Sequence, residues 1–96
     1  MTKTQIEKCK QIAKYYGESN QLDILCEEAA ELIQAVSKVR REAPNADDML
    51  VDELADVAIV LTQILSYMDE DESVVFNKTV NAKLDRQLNI IKEMEK

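Results

Sequence analysis

The chain has 96 residues, of which 46% are hydrophobic and 32% charged, with a single glycine and a single proline. This composition is typical of long amphipathic helices and excludes a fold of short strands joined by tight turns, and a chain of this length buries only about 60–65% of the surface that it exposes when unfolded. The net charge of −7 disfavours binding to polymeric nucleic acid or to anionic membranes, because the overall field repels both.

Several classes of site and location are disfavoured by what the chain lacks. It has no histidine, and Cys9 and Cys26 have no CxxC neighbour, so zinc, haem and Cys-His catalysis lack their ligands. The longest apolar run, Val57 to Leu61, is far shorter than the roughly 20 residues that span a bilayer. The N-terminal residues lack the apolar segment of a signal peptide. We therefore expect a cytoplasmic protein in which both cysteines are reduced.

The first half of the chain predicts two helices. Apolar residues at steps of three and four predict the first helix over Thr4 to Tyr16, and Gly17 follows as a left-handed stop. Ser19 or Asn20 is expected to cap the second helix, which runs to about Arg41. The apolar stripe predicted for the second helix consists of Leu22, Leu25, Ala29, Leu32, Val36 and Val39.

The second half predicts two more helices. After a loop that contains the only proline, Asn45 or Asp47 is expected to cap the third helix, which continues to about Met68. The acidic run Asp69 to Glu72 breaks the chain and forms a favourable first turn for the fourth helix, which ends near Glu95. The stripe predicted for the third helix consists of Leu54, Val57, Ala58, Leu61, Ile64, Leu65 and Met68.

A carboxylate pair with a spacing of three occurs in each of the two middle helices. The segment EEAAELIQAV contains Glu28 and Glu31, and DELADVAIVL contains Glu53 and Asp56. At about 100° per residue, Glu53 falls inside the apolar arc of its helix and Glu28 at the margin of its own. If the two helices pack antiparallel, as the short loop between them implies, the four carboxylates converge on one point.

Four converging carboxylates require a positive charge, because like charges disfavour one another's ionisation and burial adds a desolvation cost. Oxygen ligands on rigid helices suit a hard cation, and Mg²⁺ is favoured because it shares its ligand shell with substrate phosphates, with Mn²⁺ as a substitute. The plain alternative is that both pairs are solvated helix flanks, as most such pairs are.

The fourth helix carries a possible countercharge for a phosphate ligand. Lys83 falls at the edge of the stripe formed by Val80, Leu84, Leu88 and Ile91, and Arg86 lies one step outward on the same flank. Asn81 lies on the opposite flank. Ordinary surface cations whose stems cover apolar groups would give the same pattern.

The two carboxylate pairs form a pattern in which Glu28-x-x-Glu31 is followed, after 21 residues, by Glu53-x-x-Asp56. This pattern resembles the metal signature of the MazG-like, all-α nucleoside triphosphate pyrophosphohydrolases. The segment NAKLDRQL, which contains Lys83 and Arg86, resembles the basic segment of the short, phage-type members. YGESNQ, at residues 16–21, is similar to the approach to the family's first metal helix. The resemblance covers nearly the whole chain.

The resemblance implies a single domain over residues 1–96, a four-helix MazG-like bundle whose core is completed by oligomerisation as a homodimer or homotetramer. It implies Mg²⁺-dependent hydrolysis of (deoxy)nucleoside triphosphates to monophosphate and pyrophosphate, in housecleaning of the nucleotide pool. The implied catalytic metal ligands are Glu28, Glu31, Glu53 and Asp56. Lys83 and Arg86 would bind phosphate, and Asn81 phosphate or sugar.

Two other classes of function stay open at this point. One is a non-catalytic helical module that binds a protein partner through its apolar stripes, and the other is a nucleotide- or metal-binding regulator without turnover. A di-iron carboxylate bundle is disfavoured because its Glu-x-x-His motifs need histidine. The only rings are Tyr15, Tyr16, Tyr67 and Phe76, and no segment is predicted to form a nucleobase pocket.

Overall fold

A computed structural model describes all 96 residues and contains four α-helices and no strand. The helices are α1 (Lys3–Tyr16), α2 (Glu18–Arg40), α3 (Ala46–Leu65) and α4 (Glu70–Met94). The predicted all-α fold class and the number of helices are confirmed. None of the four is long and apolar enough to cross a membrane.

A single residue joins α1 to α2. Gly17 has φ 88° and ψ 157°, a positive φ that glycine adopts without steric cost, although this is not the left-handed helical conformation that we predicted. Its N–H donates to the Ala13 carbonyl at 2.9 Å and its carbonyl accepts from the Gln21 N–H at 3.2 Å. Because Gly17 ends one helix and begins the next, the predicted caps Ser19 and Asn20 were wrong: both lie in the first turn of α2.

The ends of α3 and α4 have different determinants. Asn45 precedes α3 at the predicted position, but it has a left-handed backbone and its side chain makes no capping bond. α3 ends at Leu65, earlier than the predicted Met68, because the chain turns there and the Tyr67 hydroxyl donates to the Ala13 carbonyl. Asp69 begins α4 with a reciprocal capping box that involves Glu72.

α1, α2 and α3 pack together, and the hairpin of α2 with α3 forms most of the contact. The hairpin is antiparallel because only the short turn between Arg40 and Ala46 joins its helices. The core is small and made largely of short side chains. The buried residues are Cys9, Ala13, Gln21, Ala35, Ala46, Val60 and Gln63.

The most buried side of the hairpin differs from the predicted stripes. Many residues of those stripes are exposed, among them Leu22, Val36, Leu54, Leu61 and Leu65. Residues spaced by seven face the partner helix instead. These rows are Gln21, Glu28 and Ala35 on α2, and Ala46, Glu53 and Val60 on α3. Glu28, which we placed at the margin of its stripe, and Glu53, which we placed inside its apolar arc, therefore lie within the interface between the two helices.

α4 makes no extended contact with the other three helices and has no buried residue. Its predicted apolar stripe is present but uncovered, with Leu84 58% and Leu88 57% exposed. The packed unit of one chain thus comprises three helices, and α4 stands apart from it.

Candidate metal centre

The two carboxylate pairs meet between α2 and α3. Glu28 and Glu31 project from α2, and Glu53 and Asp56 from α3, so that one oxygen from each lies within 4.8 Å of the others. The antiparallel arrangement produces this meeting, since it sets one turn of each helix opposite one turn of the other. We call these four residues the acid cluster.

Two members of the acid cluster are partly withdrawn from water. Glu28 and Glu53 are half-buried, and the Oε2 atom of each is buried without a hydrogen-bond partner. Burial raises the pKa of Glu28 above its ordinary value of 4.5, and the negative charges of the other three acids raise it further. The pKa of Glu53 is raised in the same way, by burial first and then by the charges of Glu31 and Asp56.

No positive side chain of the chain compensates this charge. The two ion pairs present, Lys10 with Glu7 at 3.6 Å and Lys96 with Glu93 at 3.2 Å, both lie elsewhere on the surface. Partly buried carboxylates without a counter-ion are costly, and hard divalent cations prefer such oxygen ligands. The donor set therefore fits a hard divalent cation.

A cleft of about 590 Å³ begins at the acid cluster and extends between α1, α2 and α3. Glu28 and Asp56 line one end of the cleft, and Gln21, Gln63 and Tyr16 are among its other lining residues. The centre thus opens onto a space large enough for a small ligand, rather than onto flat surface.

The comparison with protein families agrees with this geometry. The family model of the MazG nucleotide pyrophosphohydrolase domain matches residues 17–88, about three quarters of the chain. The chain belongs to the MazG family. The match contains both carboxylate pairs and confirms the resemblance found in the sequence. Comparisons with curated proteins and with solved structures gave no match.

The predicted phosphate-binding residues of this MazG domain lie apart from the acid cluster. Asn81, Lys83 and Arg86 are all exposed on α4, and α4 is not packed on the helices that carry the acids. Within one chain the structure does not bring these residues to the candidate centre. Their role in phosphate binding stays a prediction.

Sequence reasoning did not single out the glutamines of the cleft. Gln21 is 2% and Gln63 4% exposed, although glutamine is usually a surface residue. A signal was available, because Gln21 precedes Glu28 by seven residues and Gln63 follows Asp56 by seven. Residues spaced by seven lie on the same side of a helix, so each glutamine shares its side with an acid of the cluster.

Proposed function

We propose that this MazG domain hydrolyses (deoxy)nucleoside triphosphates to the monophosphate and pyrophosphate, with Mg²⁺ bound by Glu28, Glu31, Glu53 and Asp56. One observation carries the proposal: four carboxylates converge within 4.8 Å without a cationic partner, beside a cleft. Membership of a nucleotide pyrophosphohydrolase family supports the substrate class.

The chain's residues would divide the chemistry as follows. When bound, Mg²⁺, or Mn²⁺ in its place, neutralises phosphate charge and lowers the pKa of a coordinated water. The acid cluster would hold the cation, and one of its carboxylates would accept the proton of the water that attacks the α-phosphorus. The bond from the α-phosphorus to the oxygen that bridges to the β-phosphate breaks, and pyrophosphate leaves. Water and triphosphate are thereby converted to monophosphate and pyrophosphate, with no other reactant.

We propose further that the site is completed in a homodimer or homotetramer. α4 has an uncovered apolar stripe and carries Lys83, Arg86 and Asn81. Packing of α4 on a second chain would bury that stripe and could bring the two cations to phosphate oxygens, and Asn81 to phosphate or sugar, at the other chain's acid cluster. Fixed positive charge at a transferring phosphate stabilises the charge of the transition state.

We infer a single domain over residues 1–96, because α1, which precedes the matched segment, packs on α3, and the last residues continue α4. A cytoplasmic location and a role in keeping the nucleotide pool clean belong to the same proposal. Both agree with a nucleotide substrate.

The test is to incubate the protein with each common NTP and dNTP, with Mg²⁺ and with EDTA, and to identify the products by phosphorus NMR. We expect pyrophosphate and monophosphate with Mg²⁺ and neither with EDTA. Glu53→Gln should abolish turnover, whereas Asp48→Asn, the same charge change on the same helix but outside the acid cluster, should not.

Orthophosphate as the first product would contradict the proposed bond cleavage. Absence of turnover, together with a melting temperature that Mg²⁺ does not change, would favour the non-catalytic helical interaction module. The uncovered stripe on α4 is the feature that supports this second candidate.

A further inference from the structure

Two glutamine side chains are buried where the cleft runs between α2 and α3. Gln21 lies on α2 and Gln63 on α3, and we call them the amide pair. The Oε1 atom of Gln21 is buried and has no hydrogen-bond partner. An unpartnered buried acceptor destabilises the fold, and an apolar side chain of similar size would fill the same space without that cost. Gln21 is therefore not explained by packing alone.

The amide pair lies at a defined distance from the acid cluster. Gln21 and Glu28 are seven residues apart on α2, and Asp56 and Gln63 are seven apart on α3, which is about 10 Å along each helix. The helices are antiparallel, so both glutamines lie beyond the acid cluster in the same direction. Both glutamines line the cleft, together with Glu28 and Asp56. A ligand whose phosphates lie at the acids would thus present its other end to the amides.

We propose that the amide pair recognises the nucleobase of the substrate, with the base held beside Tyr16, an inference that rests on the proposed function. Tyr16 lines the cleft together with the apolar side chains of Ile12 and Ile59. Its ring is 54% exposed, and an aromatic ring beside apolar groups is a suitable surface for a planar base. The amides lie about 10 Å from the acids along the helices, a distance that leaves room for the sugar between the phosphates and the base.

The unpartnered Gln21 oxygen indicates which part of the base the amide pair contacts. A carboxamide offers one acceptor and one donor side by side, and rotation about its last torsion can turn the Gln21 oxygen towards the cleft. That oxygen requires a hydrogen-bond donor from the ligand. Each nucleobase carries a donor next to an acceptor on its hydrogen-bonding edge, a pattern that glutamine can match with two hydrogen bonds. We therefore assign the amide pair to the hydrogen-bonding edge of the base.

The experiment compares wild type with Gln21→Met and Gln63→Met, which keep side-chain size but remove the amide. Gln34→Met is the matched control, because Gln34 is exposed on α2 and outside the cleft. We would measure kcat/KM for the four dNTPs and for inorganic triphosphate, which has no base. Calorimetry with α,β-imido dNTPs would measure binding without hydrolysis, and thermal melting would check that each variant folds.

We expect the wild type to prefer dNTPs to inorganic triphosphate, and we expect kcat/KM for the dNTPs, relative to inorganic triphosphate, to fall by about tenfold or more in each amide variant. Gln34→Met should keep the wild-type ratio. Folded amide variants that retain the wild-type ratio and affinity would overturn the inference while leaving the proposed hydrolysis intact.

The binding measurement separates this inference from the proposed function. A wild type that hydrolyses nothing but binds the α,β-imido dNTPs, with binding weakened in the amide variants, would support base recognition and refute the hydrolase. Hydrolysis without any dependence on the amide pair would support the hydrolase and refute base recognition by the amide pair.

Discussion

Glu28 and Glu53 each place one carboxylate oxygen out of solvent without a hydrogen bond. Three further charges of the same sign surround each of them at short range. In a chain with no cation at this point, the arrangement opposes folding, because like charges repel and partial burial weakens their hydration. A bound divalent cation would reverse the sign of that interaction, since it attracts all four carboxylates.

Glu53→Gln should stabilise the metal-free protein and remove its response to Mg²⁺. The amide keeps the shape of the side chain, removes one repelling charge and can donate to a neighbouring carboxylate. We expect the melting temperature in EDTA to rise by a few degrees and hydrolysis to fall by about 100-fold or more, as for loss of a metal ligand. Thermal melting with and without Mg²⁺ measures the first effect. A drop in stability in EDTA would show that Glu53 is structural.

Metal-free protein should become more stable as the pH falls from neutrality towards about 5. The pKa values of Glu28 and Glu53 lie above 4.5 in the folded chain, so the folded state binds protons more tightly than the unfolded state. The destabilising effect of these two carboxylates is absent below pH 4.5 and grows as the pH rises from 4.5 to their raised pKa values. Mg²⁺ binding should weaken over the same range because protons compete for the oxygens.

Melting curves between pH 4.5 and 8, in EDTA and in Mg²⁺, would measure that dependence. The double variant Glu28→Gln/Glu53→Gln should lose most of the slope in EDTA, which separates these two groups from the rest of the acidic surface. A slope equal to that of wild type would place its origin in other carboxylates.

α2 and α3 show which part of the fold the sequence pattern could predict. The helices, the hairpin and the meeting of the carboxylates follow from periodicity and a short loop, and the structure contains all three. The side of contact was misjudged because large apolar residues such as Leu22, Leu54 and Leu61 were taken as the core. In the hairpin, the rows that end at Ala35 and Val60 are more deeply buried, since short side chains allow close approach of the helices.

Polar residues on the packed sides of α2 and α3 explain both the wrong prediction and the site. Gln21, Glu28, Glu53 and Gln63 are buried or half-buried at positions where a sequence selected only for stability would have apolar residues. A prediction that places the most hydrophobic side of each helix in the interface therefore misses the side on which these polar residues lie. Prediction of the interface from hydrophobic periodicity thus fails at the residues for which we propose functional roles.

α4 was predicted as a helix, and its apolar stripe was recognised, but no local pattern reports what covers that stripe. If a second chain covers it, Leu84→Asp should dissociate the oligomer, because a charge buried in an apolar interface is strongly unfavourable. Asn89→Asp adds the same charge on the opposite side of α4 and serves as the control. Light scattering coupled to gel filtration would measure the mass of each. Equal masses for the two variants would exclude the stripe as the interface.

The dimensions of the whole chain agree with the proposed oligomer. Its accessible surface is 7826 Å², whereas about 5,600 Å² is typical of a folded monomer of this mass. Its radius of gyration is 16.6 Å, against about 12.5 Å for a compact chain of this length. The excess of roughly 2,200 Å² per chain is in the range of an obligate interface. An oligomer that covers the stripe of α4 would bury much of this excess surface.

Sites shared between chains make a specific prediction for mixed oligomers. Glu53→Gln removes an acid from the centre, and Lys83→Ala removes a cation from α4, so each variant alone should be inactive or nearly so. If α4 of one chain serves the acid cluster of the other, a mixed dimer has one site that combines the intact acids with an intact Lys83. If equal amounts of the two variants assemble at random into dimers, about half of the dimers are mixed and each of these has one complete site of two. About a quarter of wild-type activity would then be restored.

Refolding the two variants together and assaying pyrophosphate release would measure this recovery. Separately refolded variants, combined only in the assay, serve as the control for exchange of subunits. If the cations instead reached the acids of their own chain, every site in a mixed dimer would carry one of the two defects. No recovery would appear, because neither chain would contain a complete set of acids and cations. Recovery of activity thus distinguishes a shared site from a site built within one chain, and it does so without requiring knowledge of the preferred base.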